Sequence, residues 1–327
     1  MSLPYADLEL SDDALTDRVR VLQRRRGHRY SIDDVITARL AIAARPDARS
    51  YLDLGCGIGS VLLMVADRLP AVQAAGLEAQ IESYALAERN VQRNALAGRV
   101  GVQRGDLRDD ALLERIRAAV LPAGAAGFDL ISGTPPYKPV GTASISPDPQ
   151  RAHARIELRG GVEAYLRAAA RLLASEGRFV MCGEASLEPR VVAGARAVQL
   201  RIQRRLDVVA RAGKGTLFSV YTFAPAAASG ERTLAAHGGA SDAVLTFGRG
   251  DEQRASTLSG AARAGAAGSA LCSAAGPARD TLTLRDARGA RTAAANALRA
   301  YFGMPASPSE APSPALRPRH ASSRRPA

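Results

Sequence analysis

The chain has 327 residues, of which 46% are hydrophobic and 4% aromatic, so it can bury a large and mostly aliphatic core in one large domain or two small ones. Its formal net charge of +12 favours a polyanionic partner such as nucleic acid. That argument is weakened because only Lys138 and Lys214 are lysines among the 44 basic residues. Such an arginine skew, together with abundant alanine and glycine, is typical of GC-rich coding.

Several features exclude other classes of protein. Three cysteines are too few and too scattered for a disulfide framework or a zinc site. The first residues are acidic and lack a signal-peptide pattern, and no apolar run reaches the ~18 residues of a membrane span. We therefore expect a soluble protein of the reducing cytoplasm, with neither a metal centre nor a membrane span. The sequence does not indicate which oligomeric state the protein adopts.

The first part of the chain, residues 1–45, is a lead-in with two helix signals. Ser11 precedes two acidic residues and an apolar segment, which predicts a helix that begins there. Ser31 is a second candidate N-cap, because Ile32 and Val35 fall with later apolar residues on one face of the helix that would follow.

The next part, residues 46–225, alternates strand and helix patterns, which predicts a doubly wound α/β domain. The predicted strands lie at 50–54, 72–78, 100–105, 128–133 and 177–184. The predicted helices lie at 60–69, 82–96, 109–120 and 161–174. Segments 200–211 and 215–224 have the pattern of a hairpin, so we expect a Rossmann-like, seven-stranded, mostly parallel sheet that ends with an antiparallel strand.

The remainder of the chain changes character. Residues 226–280 are rich in Ala, Gly and Ser, with one weak strand pattern at 243–248, and are predicted to be a low-complexity insertion. Residues 281–305 predict a closing strand and an amphipathic helix, and residues 306–327 predict a disordered tail.

The most informative segment joins the first strand of the predicted domain to its helix. Asp53 stands two residues before Gly55, and Gly57 and Gly59 follow at alternate positions. Glycines permit positive φ and close approach to a ligand, and the start of a helix offers free N–H groups. The spacing differs from the dinucleotide fingerprint, and the preceding carboxylate would repel a pyrophosphate. It suits a cofactor with an ammonium and a sulfonium group, S-adenosylmethionine, and the alternative is a tight turn without a ligand.

Two more acidic residues end neighbouring predicted strands. Glu78 closes the second strand of the domain, where a carboxylate can accept both ribose hydroxyls of a nucleoside cofactor. Asp106 follows the third strand and can accept from an adenine amino group. Two alternatives stay open: Glu78 as a charge at the start of the next helix, and Asp106 as a helix N-cap.

A proline-rich tetrapeptide follows the fourth strand at the same edge. Thr134, Pro135, Pro136 and Tyr137 predict a stiff platform that ends in an aromatic ring suited to stacking on a base. An exocyclic amine is a weak nucleophile because its lone pair is delocalised. The Thr134 side chain and the Pro135 carbonyl can accept its hydrogens and direct the lone pair towards a methyl donor held in line. The platform therefore predicts methyl transfer to an amine without a covalent nucleophile or a metal.

These motifs together resemble the class I S-adenosylmethionine-dependent methyltransferases that methylate amines, whose platform is usually Asn-Pro-Pro-Tyr or Asp-Pro-Pro-Tyr. Three further segments, residues 27–38, 154–173 and 285–305, resemble the bacterial tRNA1(Val) adenine-N6-methyltransferase family. The resemblance implies a tRNA substrate. It implies that the four platform residues are catalytic and contact the adenine amine that is methylated. It also implies a set of cofactor-binding residues: Tyr30 and Asp33 over the site, Asp53, Gly55 and Gly57 at the methionine end, Glu78 at the ribose and Asp106 at the adenine.

One departure from that family is Thr134, which stands where the family has Asn or Asp. A threonine hydroxyl accepts hydrogen bonds less strongly than a carboxamide or carboxylate oxygen, so the rate and the identity of the amine stay open. Basic residues near the motifs can contact RNA phosphates or simply form a solvated surface. These are Arg24, Arg25, Arg26, Lys138, Arg151, Arg155 and Arg159.

Two other functions stay open. Glutamine methyltransferases of release factors and ribosomal proteins share the platform, because a side-chain amide is also a weak amine. They usually keep Asn at the position of Thr134 and carry a separate helical N-terminal domain, for which residues 1–45 are too short. The third possibility is a nucleic-acid-binding relic without catalysis, against which the intact glycine loop argues.

Overall fold

A computed structural model of the protein describes residues 9–226 and 277–304. Within these residues the strands are β1 (Leu10–Ala14), β2 (Arg20–Arg24), β3 (Ser50–Leu54), β4 (Gln73–Glu78), β5 (Val100–Arg104), β6 (Phe128–Gly133), β7 (Leu173–Glu184), β8 (Leu200–Val209), β9 (Thr216–Pro225) and β10 (Ala278–Thr283). The α-helices are α1 (Ile32–Ala44), α2 (Ser60–Arg68), α3 (Ile81–Arg93), α4 (Asp110–Val120), α5 (Pro149–Arg155), α6 (Val162–Leu172), α7 (Glu188–Ala197) and α8 (Ala293–Tyr301).

The centre of the fold is an eight-stranded sheet in the order β10-β8-β9-β7-β6-β3-β4-β5. Helices α1, α2, α3 and α8 share a core with the β1-β2 hairpin. Helices α4, α6 and α7 contribute to a second core. Every residue of β3 is buried, as expected for a parallel strand covered on both faces. The predicted α/β class is therefore confirmed.

The direction of progression across the sheet reverses at β3, which pairs in parallel with β4 on one side and with β6 on the other. The loops that leave β3 and β6 diverge at such a switch point, and a crevice opens at the carboxyl ends of the strands. The glycine loop follows β3, Glu78 ends β4 and Thr134 follows β6. The sheet topology thus brings motifs that are far apart in the chain to one edge.

The edge of the sheet differs from the prediction. The sheet has eight strands rather than seven, and the antiparallel strand β9 is not terminal, because β8 and β10 lie beyond it. Strand β10 pairs in parallel with β8 and satisfies backbone groups that would otherwise be free at that edge. Periodicity shows that a segment is a strand, but not which strand it pairs with.

The helix predicted at Ser11 is wrong, because β1 and β2 form an antiparallel hairpin there. The hydroxyl of Ser11 donates to Asp13 Oδ2 at 2.6 Å instead of capping a helix. Val19, Val21 and Gln23 are buried at alternate positions. This period of two is the signal for a strand, and it outweighs the acidic residues that suggested a helix start.

The second N-cap prediction is confirmed, because α1 begins directly after Ser31. The backbone N–H of Ser31 donates to Asp34 Oδ2 at 3.0 Å, which is half of a capping box. Helices α5 and α7 were not predicted, although each has a proline in its first turn. Most of the predicted insertion with its candidate strand at 243–248, and the whole predicted tail, lie outside the described residues, so the domain boundaries stay predictions.

Candidate cofactor and substrate site

The glycine loop adopts a conformation that favours glycine. Gly55, Gly57 and Gly59 have left-handed φ values of 61°, 57° and 87°. A Cβ at Gly55 would lie 2.1 Å from the Tyr165 hydroxyl oxygen, so no side chain fits there. At Gly57, by contrast, a Cβ would have no neighbour within 4 Å. The loop therefore leaves open space in which a ligand can approach the backbone.

Glu78 connects the end of β4 to this loop. Its Oε2 accepts the N–H of Gly57 at 2.9 Å, and its Oε1 accepts the N–H of Gln80 at 2.7 Å. Burial raises the pKa of Glu78, while the two backbone N–H groups act in the opposite direction. Each carboxylate oxygen has a further lone pair. Because Glu78 also lines the cavity, it can accept hydrogen bonds from ligand hydroxyls.

Asp53 lies behind the loop rather than in the cavity wall. It is 2% exposed, and its Oδ1 accepts the Ser132 hydroxyl at 2.6 Å. Tyr51 completes a buried chain, because its hydroxyl oxygen lies 2.5 Å from Ser132 Oγ and must donate to it. Burial raises the pKa of Asp53 to about 7, and its Oδ2 has no hydrogen-bond partner of normal geometry. The structure thus gives Asp53 no direct exposure to a ligand.

Asp106 lines the cavity at the end of β5, but Arg108 already holds its carboxylate. The Nε of Arg108 donates to Oδ1 at 2.9 Å and its Nη2 donates to Oδ2 at 2.7 Å. These hydrogen bonds from Arg108 lower the pKa of Asp106. An adenine amino group bound here would share the Asp106 carboxylate with the Arg108 guanidinium. The sequence did not predict this contact between Asp106 and Arg108.

Some of the four platform residues line the cavity, and the others pack into the protein interior. Thr134 and Pro136 line the cavity together with the glycine loop. Pro135 is buried, and Tyr137 is half-buried and packs against the cores on both faces of the sheet. The platform residues are therefore at the predicted edge, but only two of them line the cavity.

The hydroxyl of Tyr137 is held by two elements. It donates to Asp33 Oδ2 in the first turn of α1 at 2.9 Å. It also lies 2.8 Å from Cys182 Sγ on β7, which can donate to it. These contacts fix the orientation of the Tyr137 ring, and they direct Asp33 to the platform rather than to the cavity.

The N-terminal segment covers one side of the cavity. Tyr30 lines it, and the Tyr30 hydroxyl donates to the carbonyl of Ala14 at 3.0 Å. Asp34 also lines the cavity, whereas its neighbour Asp33 does not. Asp33 was predicted to lie over the site, and the structure directs it to the platform while Asp34 faces the cavity, since adjacent residues on a helix point about 100° apart.

The wall also includes polar and aromatic residues that the sequence did not single out: His28, Ser60, Gln80, Ser83, Gln150, His153 and Tyr165. They come from separate segments, and no shared motif marks them. The enclosed volume of the cavity is about 120 Å³. It is smaller than the ~300–1,000 Å³ that is usual for small-molecule sites, so a bound cofactor would also extend into the open mouth.

A basic rim, defined as His28, Arg151, His153, Arg155 and Arg159, adjoins the cavity mouth. Burial and the charges of Arg155 and Arg151 lower the pKa of His28, although Asp33 acts to raise it. Burial and the charge of Arg159 lower the pKa of His153. Arg155 and Arg159 are exposed, and neither forms a salt bridge with any residue in the described part of the chain. The rim therefore presents positive charge to solvent.

Two other basic candidates are engaged within the protein. Lys138 Nζ lies 2.7 Å from Glu184 Oε2. Arg24 forms salt bridges with Glu82 at 3.1 Å and Asp148 at 2.8 Å. Within residues 9–226 and 277–304, no group of three His, Cys, Asp or Glu residues is arranged to hold a metal ion. No helix of those ranges is long and apolar enough to cross a membrane.

A glycine loop at the switch point of a mostly parallel sheet, with an acidic residue closing the next strand, defines an α/β protein with a nucleotide-type cofactor crevice. A family model described as "methyltransferase small domain" matches residues 33–119. A Bacteroides thetaiotaomicron protein named "tRNA1(Val) (adenine(37)-N6)-methyltransferase" is 31% identical over 175 residues, which are 53% of this chain and 68% of the relative.

Other relatives match over a shorter span. A Porphyromonas gingivalis protein of the same name is 31% identical over 130 residues, 40% of this chain and 48% of the relative. A Geobacter sulfurreducens "release factor glutamine methyltransferase" is 31% identical over 130 residues, 39% of this chain and 41% of the relative. The match thus spans about half or less of these two proteins. A solved structure of a predicted O-methyltransferase from Agrobacterium tumefaciens superposes with a TM-score of 0.49 and 14% identity, covering 83% of this chain and 97% of that one.

The chain belongs to the class I S-adenosylmethionine-dependent methyltransferases, in the family of the Bacteroides relative. The family resemblance that the sequence motifs suggested is therefore confirmed.

Proposed function

We propose that the protein transfers a methyl group from S-adenosylmethionine to the N6 amine of an adenine in tRNA. The observation that carries this proposal is a single cavity whose wall includes both the glycine loop with Glu78 and the platform residues Thr134 and Pro136. A nucleoside cofactor and a planar amine would therefore share one crevice. A cytoplasmic location follows from the proposed tRNA substrate.

The cavity has the groups that a nucleoside cofactor needs. The open space at Gly57 admits a ligand close to the backbone, and Glu78 offers acceptor lone pairs for ribose hydroxyls. Tyr30 would cover the site, and Asp106 would accept from the adenine beside Arg108. When bound, S-adenosylmethionine would supply an activated methyl group on its sulfonium.

The platform contributes hydrogen-bond acceptors and position. The Thr134 hydroxyl and the Pro135 carbonyl would each accept one hydrogen of the amine, which directs its lone pair out of conjugation. The burial of Pro135 and the hydrogen bond from Tyr137 to Asp33 would help to keep these acceptors in position. Asp53, which precedes the glycine loop by two residues in the chain, is held to β6 by the Ser132 hydroxyl.

An RNA substrate is supported by the basic rim and by the names of two relatives. The Bacteroides and Porphyromonas relatives are named for adenine 37 of tRNA1(Val). A base must leave its stack to reach a buried cavity, and neighbouring phosphates then need positive partners at the mouth. Arg155 and Arg159 are exposed there. The name of the Geobacter relative supports a second candidate function, N-methylation of a glutamine amide in a protein. The basic rim does not favour this candidate, because a glutamine side chain brings no phosphates to the cavity mouth.

A methyl-transfer assay separates these candidates. The purified full chain is incubated with tritiated S-adenosylmethionine and either bulk tRNA or a release factor. We expect label in tRNA, and mass spectrometry of tRNA nucleosides from a deletion strain should show loss of N6-methyladenosine. Label in the release factor alone would replace the adenine proposal. Failure of the chain to bind labelled cofactor would instead favour a non-catalytic relic.

The two-acceptor hypothesis is tested by Thr134→Ala beside Tyr137→Ala. Loss of one acceptor should lower kcat by about tenfold or more, and loss of the anchored ring should lower it further. Thr134→Ser keeps the hydroxyl and serves as the matched control. If Thr134→Ala left turnover unchanged while Tyr137→Ala abolished it, Thr134 would not act as an acceptor.

The basic rim is tested by the salt dependence of tRNA binding. In the double variant Arg155→Gln, Arg159→Gln, the slope of log K against log salt should fall by about one for each phosphate contact that is lost. Arg196→Gln is the control, because Arg196 is exposed on α7 and does not line the cavity. Equal slopes for the rim variant and the control would place RNA binding elsewhere.

A further inference from the structure

The adjacent acids Asp33 and Asp34 in the first turn of α1 have different surroundings. The carboxylate of Asp33 accepts the Tyr137 hydroxyl at 2.9 Å and a hydrogen bond from Ser31 Oγ. Asp34 is 9% exposed and lines the cavity. Its Oδ2 accepts the backbone N–H of Ser31 at 3.0 Å, and the Ser60 hydroxyl also hydrogen-bonds to its carboxyl group.

Asp34 has no cationic partner among the described side chains, since none of their salt bridges includes it. Burial raises the pKa of Asp34 well above its ordinary value, and the charges of Asp33 and Asp53 act in the same direction. The Ser31 amide and the Ser60 hydroxyl oppose this effect only in part. A buried carboxylate in a cavity wall without a counter-ion is unfavourable unless a cation occupies the cavity.

The position of Asp34 shows which part of a ligand it would meet. Along the sheet edge, Asp106 follows β5, Glu78 ends β4, and the glycine loop follows β3. Helix α1 packs against α2, β6 and β7, on the other side of the loop from β5. A nucleoside bound at Glu78 and Asp106 would therefore extend its non-nucleoside end towards Asp34.

We propose that Asp34 binds the α-ammonium group of the cofactor's amino-acid end, while Asp33 is a positioning residue that holds Tyr137. This assignment rests on the proposed cofactor. It separates two neighbouring carboxylates into binding and positioning roles. Neither the glycine loop nor the platform motif indicates this division, because it depends on the rotation of α1.

The test compares Asp34→Asn with Asp33→Asn and uses two ligands. S-adenosylhomocysteine carries the ammonium group, and 5′-methylthioadenosine lacks the whole amino-acid end. Isothermal titration calorimetry gives Kd for each ligand with each full-length variant. For Asp34→Asn we expect Kd for S-adenosylhomocysteine to rise by about tenfold or more, as for loss of a charge-assisted hydrogen bond. Kd for 5′-methylthioadenosine should stay within about twofold.

Asp33→Asn is the matched variant, because it removes one carboxylate from the same turn. We expect both Kd values within about twofold of wild type and a kcat that falls without a matching change in KM. Asp34→Ser retains an acceptor for the Ser31 N–H and must show the same ligand-selective loss as Asp34→Asn. Circular dichroism verifies that each variant is folded.

Specific outcomes would overturn the assignment. If Asp34→Asn and Asp34→Ser bind S-adenosylhomocysteine like wild type, or lose both ligands equally, Asp34 does not recognise the ammonium group. If Asp33→Asn shows the ligand-selective loss, the roles are reversed. If wild type binds neither ligand, the proposed function fails instead, so the two failures are distinguishable.

Discussion

Replacing Asp53 by asparagine should change how the stability of the protein depends on pH. Asp53 is 2% exposed, and burial raises its pKa from the ordinary 3.8 to about 7. Between these values the unfolded chain has released the proton while the folded protein retains it. The folded state then binds more protons, so the free energy of unfolding falls as pH rises through this window.

The magnitude follows from the difference between the two pKa values. Three pH units at about 1.4 kcal/mol each correspond to about 4 kcal/mol of lost stability by pH 7. The asparagine introduced by Asp53→Asn would be neutral at every pH, and its amide oxygen can still accept the Ser132 hydroxyl. We therefore expect the stability of Asp53→Asn relative to wild type to rise by about 4 kcal/mol between about pH 4 and about pH 7.5, and then to level off.

The assay is urea unfolding of both full-length proteins at intervals across this range. Subtracting the free energy of unfolding of wild type from that of the variant at each pH cancels the contribution of groups whose titration the substitution leaves unchanged. Ser132→Ala is an informative second variant, because loss of its hydroxyl removes a hydrogen bond that lowers the pKa of Asp53. The free energy of unfolding of Ser132→Ala should therefore continue to fall up to a higher pH than that of wild type does. A difference between Asp53→Asn and wild type that is constant with pH, or that falls, would refute this reasoning.

Two further predictions concern stability and packing. Gly55→Ala should destabilise the protein more than Gly57→Ala, because both need positive φ but only the first places a Cβ 2.1 Å from the Tyr165 hydroxyl oxygen. Thermal unfolding should show the larger loss at Gly55, by ~1–3 kcal/mol, and equal losses would contradict the steric argument. Arg190→Lys should weaken the attachment of α7 by ~1–2 kcal/mol, because Lys cannot reproduce the two bonds of 2.9 Å from Arg190 to Glu157. Chemical unfolding measures this loss, and an unchanged midpoint would show that the pair contributes nothing.

The sequence was sufficient for features that depend on local rules. Alternating strand and helix patterns predicted the parallel sheet, and the glycine spacing after β3 predicted the turn whose φ values only glycine adopts easily. The position of Glu78 and Thr134 at strand ends predicted that they share an edge, because parallel strands end on one side of a sheet. Each of these inferences needs only neighbours in the chain and the rule that connects them.

The tertiary structure decided everything that depends on a partner distant in the chain or on the rotation of a helix. Ser132 reaches Asp53 across 79 residues, and the Tyr137 hydroxyl reaches Asp33 across 104. The spacing from Ser31 marks Asp34 as the capping-box residue, but only the packing of α1 makes Asp34 face the cavity. The sequence thus determined which chemical groups gather at the sheet edge. Folding determined which of them face the cavity, because only packing fixes side-chain direction.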